Sequence, residues 1–126
     1  MKQINLYNLT YFNNQAHLNK LNRLIQIREK LMIHDIAIAT GCEFQDAAII
    51  LFYLYNYYVA EMFLIVYHNK HLDPPVPSLV RKFLEGFPQF PFTCSVCEEE
   101  VVSSAQVTYE FMASLKETVE FISEKK

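Results

Sequence analysis

The chain has 126 residues and a formal charge of -3, with 52% hydrophobic and 20% charged residues, the balance of a folded domain and not of a disordered tail. Its only glycines are Gly41 and Gly86, which excludes a glycine-rich phosphate loop, and no basic surplus marks it as a dedicated nucleic-acid binder. A chain of this size predicts one domain over 1–126 that folds without disulfides or an obligatory partner.

Residues 1–12 alternate loosely through Ile4, Leu6, Leu9 and Tyr11, as in a short strand or extended arm. Asn13 and Asn14 are suited to capping a helix. From Gln15 to Met32, Leu18, Leu21, Leu24, Ile25, Arg28 and Leu31 recur at three- and four-residue spacing, predicting an amphipathic helix. Lys20, Arg23, Arg28 and Lys30 on it, with Arg81 and Lys82 later, read as a solvated face or a basic patch.

Ile33–Thr40 reads as a second, shorter helix, and Gly41 as the residue that ends it in a left-handed turn. Glu43 and Asp46 place acids at the start of a third helix running to about Tyr57. Ala60–His68 is rich in β-branched and aromatic residues and predicts a strand. The apolar stretch around 47–67 contains Asn56, Glu61 and several tyrosines, so it reads as a buried helix entering a buried strand, not a membrane span. With no apolar leader after Met1, the expected location is the cytoplasm.

Prolines 74, 75 and 77 interrupt regular structure. Ser78–Glu85 predicts a short helix ended by Gly86. Three short strands follow, at Phe92–Cys94, Glu99–Val102 and Gln106–Met112. Ser114 and Glu117 match a capping box and predict a C-terminal helix containing Val119 and Ile122.

The order helix, short helix, Thr40-Gly41-Cys42 turn, longer helix, strand over residues 15–68 resembles a winged helix-turn-helix. The residues that carry it are Asp35, Ile36, Ala37, Ala39–Cys42, Ala47, Ile50, Leu51 and Ala60–Phe63. The resemblance implies an α+β fold: winged-helix-type helices, a small antiparallel sheet and, from the C-terminal reading, an extra helix. Residues 69–126 would then be an elaborated wing. Winged helices serve protein docking and DNA reading alike. In the DNA-binding use, the third helix enters the major groove. Here that helix has no Lys or Arg, and its first turn is acidic. The first expectation is therefore a non-enzymatic adaptor that docks a protein through Gln45, Ile49, Tyr53, Asn56 and Tyr57. The second is a DNA-binding regulator using the same elements. A homodimer fits either.

Cys94-Ser95-Val96-Cys97 resembles half of a zinc knuckle, and His68 and His71 offer two further ligands, so a Cys2His2 set can be written for structural zinc. The same spacing is found in knuckles that keep their hairpin without metal. Glu98 stands where such a turn often has glycine. Cys42 reads as a small buried filler. No nucleophile, base and orienting group fall into a recognisable catalytic frame, and no cofactor is expected, with structural zinc the open alternative.

Overall fold

The structure is a computed structural model and describes residues 1–125. Strand β1 (Lys2–Asn5) leads through a short 3-10 turn to helix α1 (Gln15–Ile27). Asn14 caps that helix, its side-chain oxygen accepting from the Ala16 N–H at 2.9 Å and the His17 N–H at 3.4 Å. Leu18, Leu21, Leu24 and Ile25 form the buried stripe. The helix stops five residues short of the predicted Met32. Lys30–Met32 is instead strand β2, with Leu31 buried. The leucine spacing continues, but Leu31 meets its burial in a sheet, so tertiary pairing overrides a weak local preference.

Helix α2 (Ile33–Thr40) begins where the Asp35 carboxylate accepts the Met32 N–H at 2.8 Å. It ends at Gly41, which has φ 77°. A Cβ there would lie 2.9 Å from the Tyr11 hydroxyl, which itself donates to the Thr40 carbonyl. Helix α3 (Phe44–Asn56) buries Ala47, Ile50, Leu51 and Leu54. Strand β3 (Ala60–His68) follows.

Two predicted helices are strands. Leu79–Lys82, inside the expected Ser78–Glu85 helix, is strand β4, antiparallel to β3 with Val66 opposite Leu79 and Phe63 opposite Lys82. Its side chains alternate between half-buried and exposed, which is the strand period. Strands β5 (Phe92–Thr93) and β6 (Glu100–Val101) form a small antiparallel pair. Strand β7 (Val107–Leu115) takes up Ser114, so the expected capping box does not form. Val119–Ile122 is strand β8, parallel to β1, with Ile4 opposite Phe121. Val119 and Phe121 are buried, and the Asn22 side chain both donates to the Phe121 carbonyl and accepts its N–H. The extra C-terminal helix is therefore absent among the described residues; a β-period segment pairs with the far end of the chain.

The fold is α+β, with strand order β2-β7-β3-β4 in the four-stranded sheet. The described residues group into two units, one of 1–61 with 113–125 and one of Met62–Met112. The first holds the helices and a core that includes Leu21, Ile36, Ile50, Leu51, Leu54 and Phe121. The second has a smaller core of Leu64, Val66, Cys94, Val101 and Val107, flanked by half-buried aromatics. The chain passes between the units inside β3 and inside β7. Among the described residues, no helix is long and apolar enough to cross a membrane.

Candidate metal centre and third-helix face

In the second unit, β3 ends at His68, which is 2% exposed. The 3-10 turn Asn69–His71 follows directly. Such a turn has three residues per revolution, so residues i and i+3 share a side. The two imidazoles accordingly meet edge to face, with centroids 5.5 Å apart at 73°.

The cysteines sit on the connection between β5 and β6. The Cys94 N–H donates to the Glu99 carbonyl at 2.8 Å, and the Glu98 N–H to the Cys94 carbonyl at 2.9 Å. Glu98 takes φ 63°, the left-handed conformation for which glycine is the usual choice. The Val96 N–H points at the Cys94 sulfur at 3.4 Å. The Ser95 hydroxyl donates to the Ser78 carbonyl at 2.6 Å and fixes the turn beside the start of β4. Cys94 is fully buried, and Cys97 is half-buried.

These two turns converge. The Cys97 sulfur lies 3.5 Å from His68 Nδ1. One ligand atom from each of His68, His71, Cys94 and Cys97 falls within 4.8 Å of all the others. His71 Nε2 is buried without a hydrogen-bond partner. Burial pushes the Cys94 thiol pKa up, but the polar groups around it, the nearby Ser78 hydroxyl first, then the Cys97 and Val96 backbone and His68, outweigh it and bring the value down to about 6. Lys70, within the histidine turn, contacts Glu99, just past the second cysteine, at 2.6 Å. Their hydrogen bond and charges hold the Glu99 carboxyl below the usual range and the Lys70 ammonium above its own. The H-x-x-H and C-x-x-C spacings mark the four ligand positions in the sequence. The Lys70–Glu99 bridge and the Ser78 and Ser95 contacts escape it, because they depend on how the two turns meet. Opposite charges one position inside one motif and two positions past the other were the only local sign of the bridge.

In the first unit, α3 carries the five residues expected to meet a partner. Gln45, Asn56 and Tyr57 are exposed, and Ile49 and Tyr53 are half-buried. At 100° per residue Gln45, Ile49, Tyr53 and Asn56 face away from Ala47, Ile50, Leu51 and Leu54, which fill the core, and Tyr57 is the residue that caps the helix. Tyr53 and Tyr57 meet edge to face at 6.0 Å. Phe44 is exposed beside them at the start of the helix. The basic residues proposed for a patch are partly committed elsewhere. Arg28 pairs with Asp35 at 3.4 Å, and Arg81 donates to the Glu85 and Gly86 carbonyls. Cys42 is buried, and burial pushes its thiol pKa up, as suits a filler. Comparison with protein-family models, curated proteins and solved structures finds no match.

Proposed function

We propose that the chain is a non-catalytic interaction module of winged-helix type that docks a protein partner through the outward face of α3. The observation that carries this reading is the composition of that face. Gln45, Ile49, Tyr53, Asn56 and Tyr57 form an amide and aromatic stripe with no Lys or Arg of its own, with Glu43 and Asp46 at its start and a single cation at its far end, where the Lys2 ammonium donates to the Tyr57 carbonyl at 2.7 Å. Aromatic residues are enriched in the cores of protein interfaces, whereas DNA association depends on phosphate neutralisation. The element order supports the winged-helix likeness further. Strand β2 separates α1 from α2, and the sheet order places β7 between β2 and β3. The loop that would be a simple wing hairpin, between β3 and β7, is replaced by the second unit.

The test has two arms. The full chain is titrated with random-sequence duplex at ~50 mM and ~200 mM salt. It is also used to co-purify partners from its native cells, beside an Ile49→Glu/Tyr53→Ala variant whose circular dichroism matches the parent. Stoichiometric capture of a protein that the variant loses, with no duplex binding, supports the docking reading. Micromolar duplex binding that falls steeply with salt would replace it with a DNA-binding regulator. Capture unaffected by the substitutions would move the interface off α3.

A further inference from the structure

We propose that His68, His71, Cys94 and Cys97 bind one zinc ion in a closed tetrahedral site that organises the second unit. The inference is independent of the docking reading, because every ligand lies within Met62–Met112.

Distance comes first. Zinc–sulfur bonds of about 2.3 Å and zinc–nitrogen bonds of about 2.0 Å set tetrahedral donors about 3.3–3.8 Å apart. Cys97 Sγ and His68 Nδ1 are already at 3.5 Å, and the widest separation in the set is within 4.8 Å. Side-chain rotation of a few tenths of an ångström to about 1 Å brings the remaining donors to bonding distance.

Donor chemistry comes second. Two thiolates and two imidazoles form an S2N2 set, which selects zinc or an iron–sulfur centre over magnesium or calcium. A two-iron cluster with two protein ligands on each iron would hold the opposite pairs apart across its sulfides. All four donors lie within 4.8 Å of one another, too close for two pairs held apart by such a cluster, and fit a single ion. Coordination takes both cysteines as thiolates, whose two charges neutralise Zn2+. The resulting site is neutral, as burial requires. Four protein ligands leave no open position, so the ion is structural and not a Lewis acid for a substrate.

The surroundings come third. His71 Nε2 is a buried polar atom lacking a partner, a rare and costly condition that a metal bond would remove. The Val96 N–H directed at Cys94 Sγ and the left-handed Glu98 shape the turn so that both sulfurs of Cys94-Ser95-Val96-Cys97 face one point. The Lys70–Glu99 bridge ties the histidine turn to the cysteine turn from outside. A unit with so small an apolar core is the kind that commonly needs a metal or disulfide to hold its shape.

The experiment is metal analysis of the purified full chain, followed by chelator stripping and titration with Co2+. The expected result is one zinc per chain. Co2+ should bind at one per chain with intense tetrahedral d–d bands and thiolate charge-transfer absorption, both bleached by Zn2+. Cys97→Ser should weaken Co2+ binding by more than about 100-fold, the upper end for loss of a group that only supports a ligand. His71→Cys should retain tetrahedral bands and gain thiolate charge transfer, which tests ligation even if Cys97→Ser fails to fold. A folded chain that takes up neither ion at micromolar concentration would overturn the proposal. So would weak octahedral bands, iron with inorganic sulfide, or a His71→Cys spectrum identical to that of the parent.

Discussion

The two units reach order by different physical routes. The unit formed by 1–61 and 113–125 is held by an apolar core in which Leu21, Ile36, Ile50, Leu51, Leu54 and Phe121 are buried, and it contains all three α-helices. The Met62–Met112 unit carries most of β3 and β7, with the short strands β4, β5 and β6 on long irregular connections, and its own buried cluster includes the thiol of Cys94. Apolar burial scales with area, so the smaller unit gains less from it in total. The buried His71 Nε2, which has no hydrogen-bond partner, is a polar cost within it. The contrast between an oil-held unit and a unit proposed to be held by a metal is what the following measurements can break or sharpen.

The largest effect should come from chelation. Structural zinc contributes about 10–16 kcal/mol of apparent binding free energy in small zinc domains near neutral pH. Hydrogen exchange followed by mass spectrometry should therefore show protection lost by orders of magnitude across 62–112, while peptides from α1 and α3 remain protected. Equal loss in both units would dissolve the comparison.

The reciprocal perturbation is Leu51→Ala. This side chain has no exposed surface in the helical core, and its truncation should cost about 2–5 kcal/mol. Calorimetry should record the lower Tm, and metal content should stay at its parental stoichiometry. A fall in metal content would mean that the second unit depends on the first.

A smaller loss is expected from Gly41→Ala. The residue has φ 77°, and the new Cβ would press on the Tyr11 hydroxyl at 2.9 Å. A left-handed residue other than glycine costs roughly 1–2 kcal/mol. Urea denaturation should show the midpoint falling at an unchanged slope.

The smallest effect belongs to Glu99→Gln, because both partners of the Lys70 bridge are exposed. The sign with pH follows from the shifts. The depressed Glu99 carboxyl makes its contribution above the ordinary carboxylate range, and that contribution is lost as pH falls through the lowered value. The raised Lys70 makes its contribution below the ordinary lysine range, and that is lost as pH rises through the raised value. The stability difference between parent and variant should therefore be confined to the window between these limits. It should shrink in high salt. A difference that persists in strong acid would rule out the ion pair as its source.

How much of this was legible varied with the range of the interaction. The stripe Leu18, Leu21, Leu24 and Ile25, the Asn14 cap and the stop at Gly41 are local, and the helices formed where local rules put them. The reading failed where a distant strand competed. Leu79–Lys82 follows Ser78 like a capped helix but answers to β3, and Val119–Ile122 answers to β1 at the other end of the chain. Leu31 satisfied a helical period and joined a sheet. Pairing partners so far away leave no periodic trace in the segment itself.

The candidate site divides along the same line. By itself, the sequence determined which side chains could be donors, since thiols and imidazoles at two close spacings are fixed by covalent order. It also determined that α3 would carry no cation. Only the tertiary structure decided that the end of β3 and the β5–β6 turn meet, bringing His68, His71, Cys94 and Cys97 within 4.8 Å and linking Lys70 to Glu99. The reason is that a donor's identity is a property of one residue. A coordination sphere is a property of a loop closed between segments, which only the packing of the strands around it can close.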